Sequence, residues 1–134
     1  LGDSVEGKDV IVVEDIISSG ESALDIFYQL TKMKAKRIFM CCTFGLFCNG
    51  LEAFDKAYEE GAVTGVLTTN LVYRSPELLK RPWFKEVDMS KYMSFIIDTL
   101  HHDASMSNLL NPVDRIDKLM EKVKSRQLEE GLIK

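Results

Sequence analysis

The chain of 134 residues is 46% hydrophobic and 28% charged, with a formal net charge of −4, the composition of one globular domain with its own core. The negative balance argues against a nucleic-acid-binding surface, and no apolar run approaches the ~20 residues of a transmembrane helix. There are three cysteines, an odd number, and the first four residues lack the charged and apolar parts of a signal peptide. Both features predict reduced thiols in the cytoplasm.

The first strand and the first helix are predicted close to the N-terminus. Four consecutive apolar residues begin a buried strand at positions 10–14. Apolar residues at helical spacing then predict a helix over 22–33. Ser22 is the expected N-cap of this helix, and Asp25, three residues on, completes a capping box.

The rest of the chain continues to alternate between strands and helices. We predict strands at 37–43, 63–68 and 83–87, helices at 51–60, 88–102 and 112–128, and a long connection at 71–82. The strand at 37–43 has almost no polar alternation, which is typical of parallel strands covered on both faces. The repeated strand–helix–strand order predicts parallel strands joined by right-handed crossovers. Four residues of the long connection are expected to be solvated, with contact to a phosphate or a neighbouring subunit as the alternative: Tyr73, Arg74, Lys80 and Arg81.

Two carboxylates and a small polar loop stand between the first strand and the first helix. Glu14 and Asp15 come at the predicted strand end, where a turning chain lets both reach one ligand. Carboxylates accept hydrogen bonds from sugar hydroxyls and can hold Mg²⁺ directly or through water. The Ser-Ser-Gly-Glu-Ser loop at 18–22 offers N–H groups and hydroxyls to an anion, above all a phosphate. The Walker lysine is missing, which favours a sugar phosphate over a triphosphate. The alternative is a solvated strand end followed by a capped helix.

Residues 12–22, Val-Val-Glu-Asp-Ile-Ile-Ser-Ser-Gly-Glu-Ser, resemble the ribose-phosphate loop of type I phosphoribosyltransferases. That motif is an apolar strand, two acidic residues, two apolar residues and a small polar loop ending in Thr or Ser. Downstream segments are similar to ribose-phosphate pyrophosphokinases (phosphoribosyl pyrophosphate synthetases) in particular. They are 43–47 (Thr-Phe-Gly-Leu-Phe), 67–70 (Leu-Thr-Thr-Asn), 88–90 (Asp-Met-Ser) and 105–110 (Ser-Met-Ser-Asn-Leu-Leu).

The resemblance implies an α/β fold, a parallel-sheet three-layer sandwich of the phosphoribosyltransferase type, present here as a partial domain. It also implies that residues 1–134 are the C-terminal part of a ribose-phosphate pyrophosphokinase, without the N-terminal domain that carries most of the ATP site. Such an enzyme transfers the pyrophosphoryl group of MgATP to ribose 5-phosphate, uses Mg²⁺ and is usually a homo-oligomer. The chain alone is therefore expected to be inactive.

The roles of the site residues follow from the same resemblance. Glu14 and Asp15 are expected to be the catalytic carboxylates that orient the ribose 2- and 3-hydroxyls, with Asp15 as a possible Mg²⁺ ligand. The loop is expected to hold the 5-phosphate through Ser18, Ser19, Gly20, Glu21 and Ser22. Glu21 fits this role only through its backbone N–H, with its side chain pointing away from the phosphate.

Departures from the family pattern leave a second interpretation open. Glu14 replaces the usual first Asp, Ser18 stands where an Asp is common, and Glu21 stands where a Gly is common. The last two favour a non-catalytic relative that acts as a regulatory or scaffolding subunit. A third interpretation is a phosphoribosyltransferase acting on a nucleobase, but the 43–47 turn and the missing hood over a base pocket argue against it.

Overall fold

The computed structural model describes residues 4–129, except for the side chains at positions 108, 128 and 129. Strands and helices alternate at first, and only helices follow. In chain order the elements are β1 Asp9–Ile17, α1 Glu21–Lys32, β2 Arg37–Gly45, α2 Glu52–Glu59, β3 Gly65–Thr69, α3 Pro76–Leu79, β4 Phe84–Val87, α4 Ser90–His101, α5 Ser107–Leu110 and α6 Val113–Glu129. The chain divides into two compact units, residues 1–90 and 91–134.

The four strands of the first unit form one parallel sheet in the order β1-β2-β3-β4. Each strand pairs with the next one along the chain, so that Val12 lies opposite Met40 and Cys42 lies opposite Thr68. Parallel neighbours require a crossover connection, and α1, α2 and the segment containing α3 supply the three crossovers. The α/β fold with a parallel sheet, expected from the sequence, is confirmed.

The core lies on the face of the sheet that packs against α1 and α2. Phe27 of α1 and Phe54 of α2 meet edge to face, with ring centroids 6.3 Å apart. Phe54 also stacks on Trp83, at 5.4 Å between centroids. Aromatic pairs in these geometries contribute about 1 kcal/mol each beyond the area they bury. The buried apolar set is Ile17, Ala23, Phe27, Ile38, Met40, Cys42, Phe47, Phe54, Ala57, Ala62, Val63, Val66, Leu78, Trp83 and Phe84.

The opposite face of the sheet carries apolar side chains that remain accessible. Ile11 and Val13 of β1 are 66% and 77% exposed. Their partners on β2, Phe39 and Cys41, are half-buried. The sequence predicts a second strand covered on both faces. Within the first unit, the face of the sheet that packs against α1 and α2 is better covered than the opposite face, because both helices contribute side chains to the core on that side.

The predicted capping of α1 by Ser22 and Asp25 is wrong. The helix begins at Glu21, its N-cap is Gly20 with a left-handed φ of 92°, and no side chain caps it. A Cβ at position 20 would lie 2.8 Å from Cζ of Phe54 and closer still to Cε2. Glycine adopts this conformation without steric cost. Packing against Phe54 therefore sets the start of the helix in place of a capping hydrogen bond.

The connection predicted at 71–82 contains a short helix that we did not predict. Ser75 caps α3 by accepting a hydrogen bond from the backbone N–H of Leu78 at 3.1 Å, and Pro76 is the first helical residue. Both are common signals for a helix start. Tyr73 and Lys80 are exposed, as predicted.

The two arginines of this connection are not simply solvated, contrary to the prediction. Nε of Arg74 lies 2.7 Å from a carboxylate oxygen of Glu86, and Nε of Arg81 lies 3.0 Å from Asp55. Asp55 also accepts a hydrogen bond of 2.7 Å from the indole Nε1 of Trp83. The arginines thus attach the connection to β4 and α2, because their partners belong to those elements.

The second unit contains α5, α6 and nearly all of α4. The Tyr92 hydroxyl donates a hydrogen bond of 3.3 Å to the carbonyl of Leu109. The Arg115 guanidinium lies 5.4 Å from the centre of the Tyr92 ring, a cation–π distance. In residues 4–129, no helix has both the length and the apolar character needed to span a membrane.

Candidate functional site

A cavity of about 430 Å³ lies where β1 ends and α1 begins. Ligands of open α/β sheets bind outside the carboxyl ends of the strands, and this cavity is at such a position. It is lined by Glu14, Ile16, Ile17, Ser18, Ser19, Gly20, Ser22, Ala23 and Met40. Polar groups of the β1–α1 loop therefore surround one side of the cavity, and apolar side chains form the other.

The backbone N–H groups of this loop are largely unused. Those of Ser19, Gly20, Ser22 and Ala23 have no acceptor within residues 4–129. The N–H of Glu21 makes only a long contact of 3.4 Å to the Ser19 hydroxyl. Unpaired N–H groups at a helix N-terminus carry partial positive charge and favour an anion. The loop therefore has the chemistry of a phosphate site.

A second loop, between β2 and α2, fixes the backbone of the first. The N–H of Leu46 donates to the carbonyl of Ile17 at 2.8 Å, and the N–H of Cys48 donates to the carbonyl of Ser18 at 2.9 Å. These bonds use the carbonyl oxygens of the last residue of β1 and the first residue of the β1–α1 loop. In a trans peptide the N–H points opposite to the carbonyl of the preceding residue, so the N–H of Ser19 points away from the second loop.

The two carboxylates do not line the same cavity. β1 extends to Ile17, three residues beyond the predicted end, because Ile16 and Ile17 pair with β2. Successive side chains alternate along a strand, and the structure places Glu14 on the cavity but not Asp15, although both are exposed. In the described part of the chain, no group of three or more His, Cys, Asp or Glu side chains could hold a metal ion.

Glu21 also lies outside the cavity lining. Its carboxylate accepts a hydrogen bond of 3.4 Å from the side-chain amide of Asn49, on the β2–α2 loop. The Glu21 side chain therefore contacts the β2–α2 loop and does not line the cavity. Nothing in the sequence connects Asn49 with the site, because Asn49 and Glu21 are 28 positions apart.

Most of the predicted site residues are brought together. Glu14, Ser18, Ser19, Gly20 and Ser22 line the cavity, whereas Asp15 and Glu21 do not. The lining also includes residues that were not predicted, among them the fully buried Met40 of β2. It lies on β2 opposite Val12, and the predicted strand pairing alone did not indicate that it reaches the cavity.

Three of the other segments that carry the resemblance, 43–47, 67–70 and 88–90, are joined by hydrogen bonds at the same edge of the sheet. The Thr69 hydroxyl donates to the carbonyl of Thr43 at 2.6 Å. The Asn70 amide donates to Asp88 at 2.7 Å and accepts from the backbone N–H of Met89. The hydroxyl and N–H of Ser90, and then Asn70, lower the pKa of the Asp88 carboxyl. These bonds join the ends of β2 and β3 to the start of α4.

The fold and the cavity together define a phosphoribosyltransferase-like α/β domain with a loop of unpaired N–H groups at the carboxyl edge of its sheet. The crystal structure of a phosphoribosylpyrophosphate synthetase from Mycobacterium smegmatis superimposes with a TM-score of 0.65 at 17% sequence identity. The match covers 77% of this chain and 33% of that one, and it concerns the fold.

Residues 1–111 match the family model of the phosphoribosyl synthetase-associated domain, and the chain belongs to this family. A ribose-phosphate pyrophosphokinase of Thermococcus kodakarensis is 40% identical over 79 residues, which are 57% of this chain and 28% of that protein. Human phosphoribosyl pyrophosphate synthase-associated protein 2 is 33% identical over 113 residues, 84% of this chain and 30% of that protein. The chain thus spans less than a third of the length of these relatives.

Proposed function

We propose that the chain is the C-terminal, ribose 5-phosphate-binding part of a ribose-phosphate pyrophosphokinase, a transferase of nucleotide biosynthesis. The observation that carries the proposal is the set of free loop N–H groups beside a cavity that Glu14 lines. A sugar phosphate needs both features, because its phosphate requires N–H donors and its hydroxyls require carboxylate acceptors. An anion site without an acidic residue would suit inorganic phosphate equally well.

In this proposal the protein positions the substrates rather than attacking them. The backbone N–H groups of Ser19, Gly20 and Ser22 bind the 5-phosphate, and Glu14 and Asp15 hold the ribose hydroxyls. The 1-hydroxyl of the sugar is the nucleophile, so catalysis depends on orientation and on neutralising phosphate charge. Asp15 is the residue that would hold Mg²⁺, because this ion uses one or two carboxylates together with water and phosphate oxygens. When bound, the ion supplies that neutralisation.

The rest of the activity depends on polypeptide beyond these 134 residues. MgATP binds mainly to an N-terminal domain, and the assembled protein is a homo-oligomer of the cytoplasm. Ribose-phosphate pyrophosphokinases are among the relatives that support this proposal. The chain alone binds ribose 5-phosphate but releases no AMP from ATP, and AMP formation by the purified chain would contradict the assignment of the ATP site.

Calorimetric titration with ribose 5-phosphate tests the site itself. Loss of a hydrogen bond to a charged group costs about 1.5–3 kcal/mol, so Glu14→Gln weakens binding roughly tenfold or more. Glu59→Gln is the matched control, because Glu59 is exposed on α2, carries the same charge and lies outside the cavity lining. Equal affinities of the two variants would rule out the proposed role of Glu14.

A second candidate function is a non-catalytic relative that regulates or supports a catalytic subunit. The longer match favours it: synthase-associated proteins align with 84% of this chain, compared with 57% for the Thermococcus enzyme. Ser18 and Glu21, which depart from the family loop, point in the same direction. Wild-type chain that folds but does not bind ribose 5-phosphate at millimolar concentration would favour this candidate.

A further inference from the structure

Glu21 presents an electrostatic problem that the phosphate loop must solve. It is the first residue of α1, directly beside the N–H groups that the proposed function assigns to the 5-phosphate. A free carboxylate there repels a phosphate dianion. The same charge also favours the helix N-terminus, so the residue benefits the helix while opposing the ligand.

The β2–α2 loop offers Glu21 a fixed partner. The Asn49 amide lies 3.4 Å from Oε1 of Glu21. Asn49 is held in a closed turn, because the N–H of Gly50 donates to the carbonyl of Phe47 at 3.0 Å. Both turn ends have left-handed backbones, with φ values of 50° at Phe47 and 88° at Gly50.

The turn is also anchored to the phosphate loop. Cys48, which immediately precedes Asn49, donates its N–H to the carbonyl of Ser18 at 2.9 Å. The backbone of Asn49 therefore lies at a defined position relative to the loop, and its exposed side chain reaches Glu21 from there. An amide donor at a fixed position can select one rotamer of a flexible carboxylate side chain.

We infer that Asn49 is a positioning residue, which holds the Glu21 carboxylate out of the phosphate cavity and so makes an acidic residue compatible with sugar-phosphate binding at this loop. This inference rests on the proposed function, since it concerns the same ligand. It deepens that function by assigning a role to a residue outside the cavity lining.

A double-mutant cycle between positions 49 and 21 tests the inference, with ribose 5-phosphate as the titrant and the full chain throughout. Asn49→Ala frees the carboxylate and weakens binding about threefold to tenfold at low salt. Glu21→Gln tightens binding, and the double variant binds like Glu21→Gln alone. In 0.5 M salt the effect of Asn49→Ala falls to about twofold or less, because screening is then strong. Glu59→Gln, an equal loss of charge at the end of α2, is the control and leaves the effect of Asn49→Ala intact.

Other outcomes would overturn the inference. If Asn49→Ala weakens binding equally with and without Glu21→Gln, the residue only supports the loop structurally. An Asn49→Ala variant with wild-type affinity would exclude any positioning role.

A second measurement needs no ligand and separates this inference from the proposed function. The NMR signals of the Asn49 side-chain amide shift in Glu21→Gln but not in Glu59→Gln. If the Asn49 signals shift in neither variant, Asn49 does not contact Glu21, and the inference fails even if the chain binds ribose 5-phosphate. If they shift and the wild-type chain does not bind ribose 5-phosphate, the proposed function fails and the contact stands without its role.

Discussion

Gly20→Ala destabilises the fold more than a glycine replacement elsewhere, because two separate costs combine at this position. The left-handed backbone, with φ of 92°, costs alanine about 1–2 kcal/mol. The new methyl group would overlap the ring of Phe54, which is only 1% exposed and packed among other aromatic rings. Overpacking of this kind costs about 1–3 kcal/mol. We expect a total loss of about 2–5 kcal/mol in the free energy of unfolding.

Gly61→Ala is the matched control for this prediction. Gly61 ends α2 with φ of 73°, and a Cβ there would meet nothing within 4 Å, so only the backbone cost applies. Urea unfolding can be followed by the fluorescence of Trp83, the one tryptophan in the chain, which stacks on Phe54. With an m-value of about 2 kcal/mol/M, Gly20→Ala should unfold about 0.5–1.5 M below Gly61→Ala. Coincident midpoints would show that the Phe54 ring yields without cost, and the packing argument would be wrong.

Two further substitutions test the contacts around the sheet. Asp55→Ala leaves the buried indole N–H of Trp83 without its acceptor, whereas Asp55→Asn keeps an acceptor oxygen. Urea unfolding should therefore show Asp55→Ala to be less stable than Asp55→Asn by about 1–3 kcal/mol, and equal stabilities would argue against that hydrogen bond. The pKa of Asp88 is held below its ordinary value of 3.8, chiefly by the Ser90 hydroxyl. The stability this contributes is present above pH 3.8 and is lost as the pH falls through the lower, folded-state pKa. The stability advantage of wild type over Asp88→Asn should shrink over that acidic range in unfolding curves, and a constant difference would contradict it.

The sheet could be predicted from the sequence because local pattern determines it. Apolar runs around Met40 and Val66 mark strands, and the helical spacing around Phe27 and Phe54 marks the crossovers between them. The start of α1 could not be predicted, because Gly20 adopts its conformation against a ring 34 residues away in sequence. The start of α3 could have been predicted, because Ser75 and Pro76 are a common N-cap and first helical residue, although we assigned this segment as a loop.

Part of the cavity lining could also be predicted from the sequence. The serines and Gly20 line the cavity because they are contiguous in sequence and share one turn. The separation of Asp15 from Glu14 depends on how far β1 pairs with β2, which the apolar pattern does not limit. The contact of Asn49 with Glu21 depends on how two loops meet above the sheet. Single-sequence reasoning identifies each loop but not the distance between them.

The order of the strands in the sheet has a consequence for the way in which the chain folds. Because β1, β2, β3 and β4 pair in the order in which they are synthesised, each pairing closes a loop of modest length. The offsets are 28 residues between Asp9 and Arg37, 26 between Phe39 and Gly65, and 18 between Val66 and Phe84. No strand of this sheet pairs with a strand from the far end of the unit. Short loop closures lower the entropic barrier to folding. Within this sheet, each strand can therefore pair with the strand that precedes it as soon as the intervening crossover has closed.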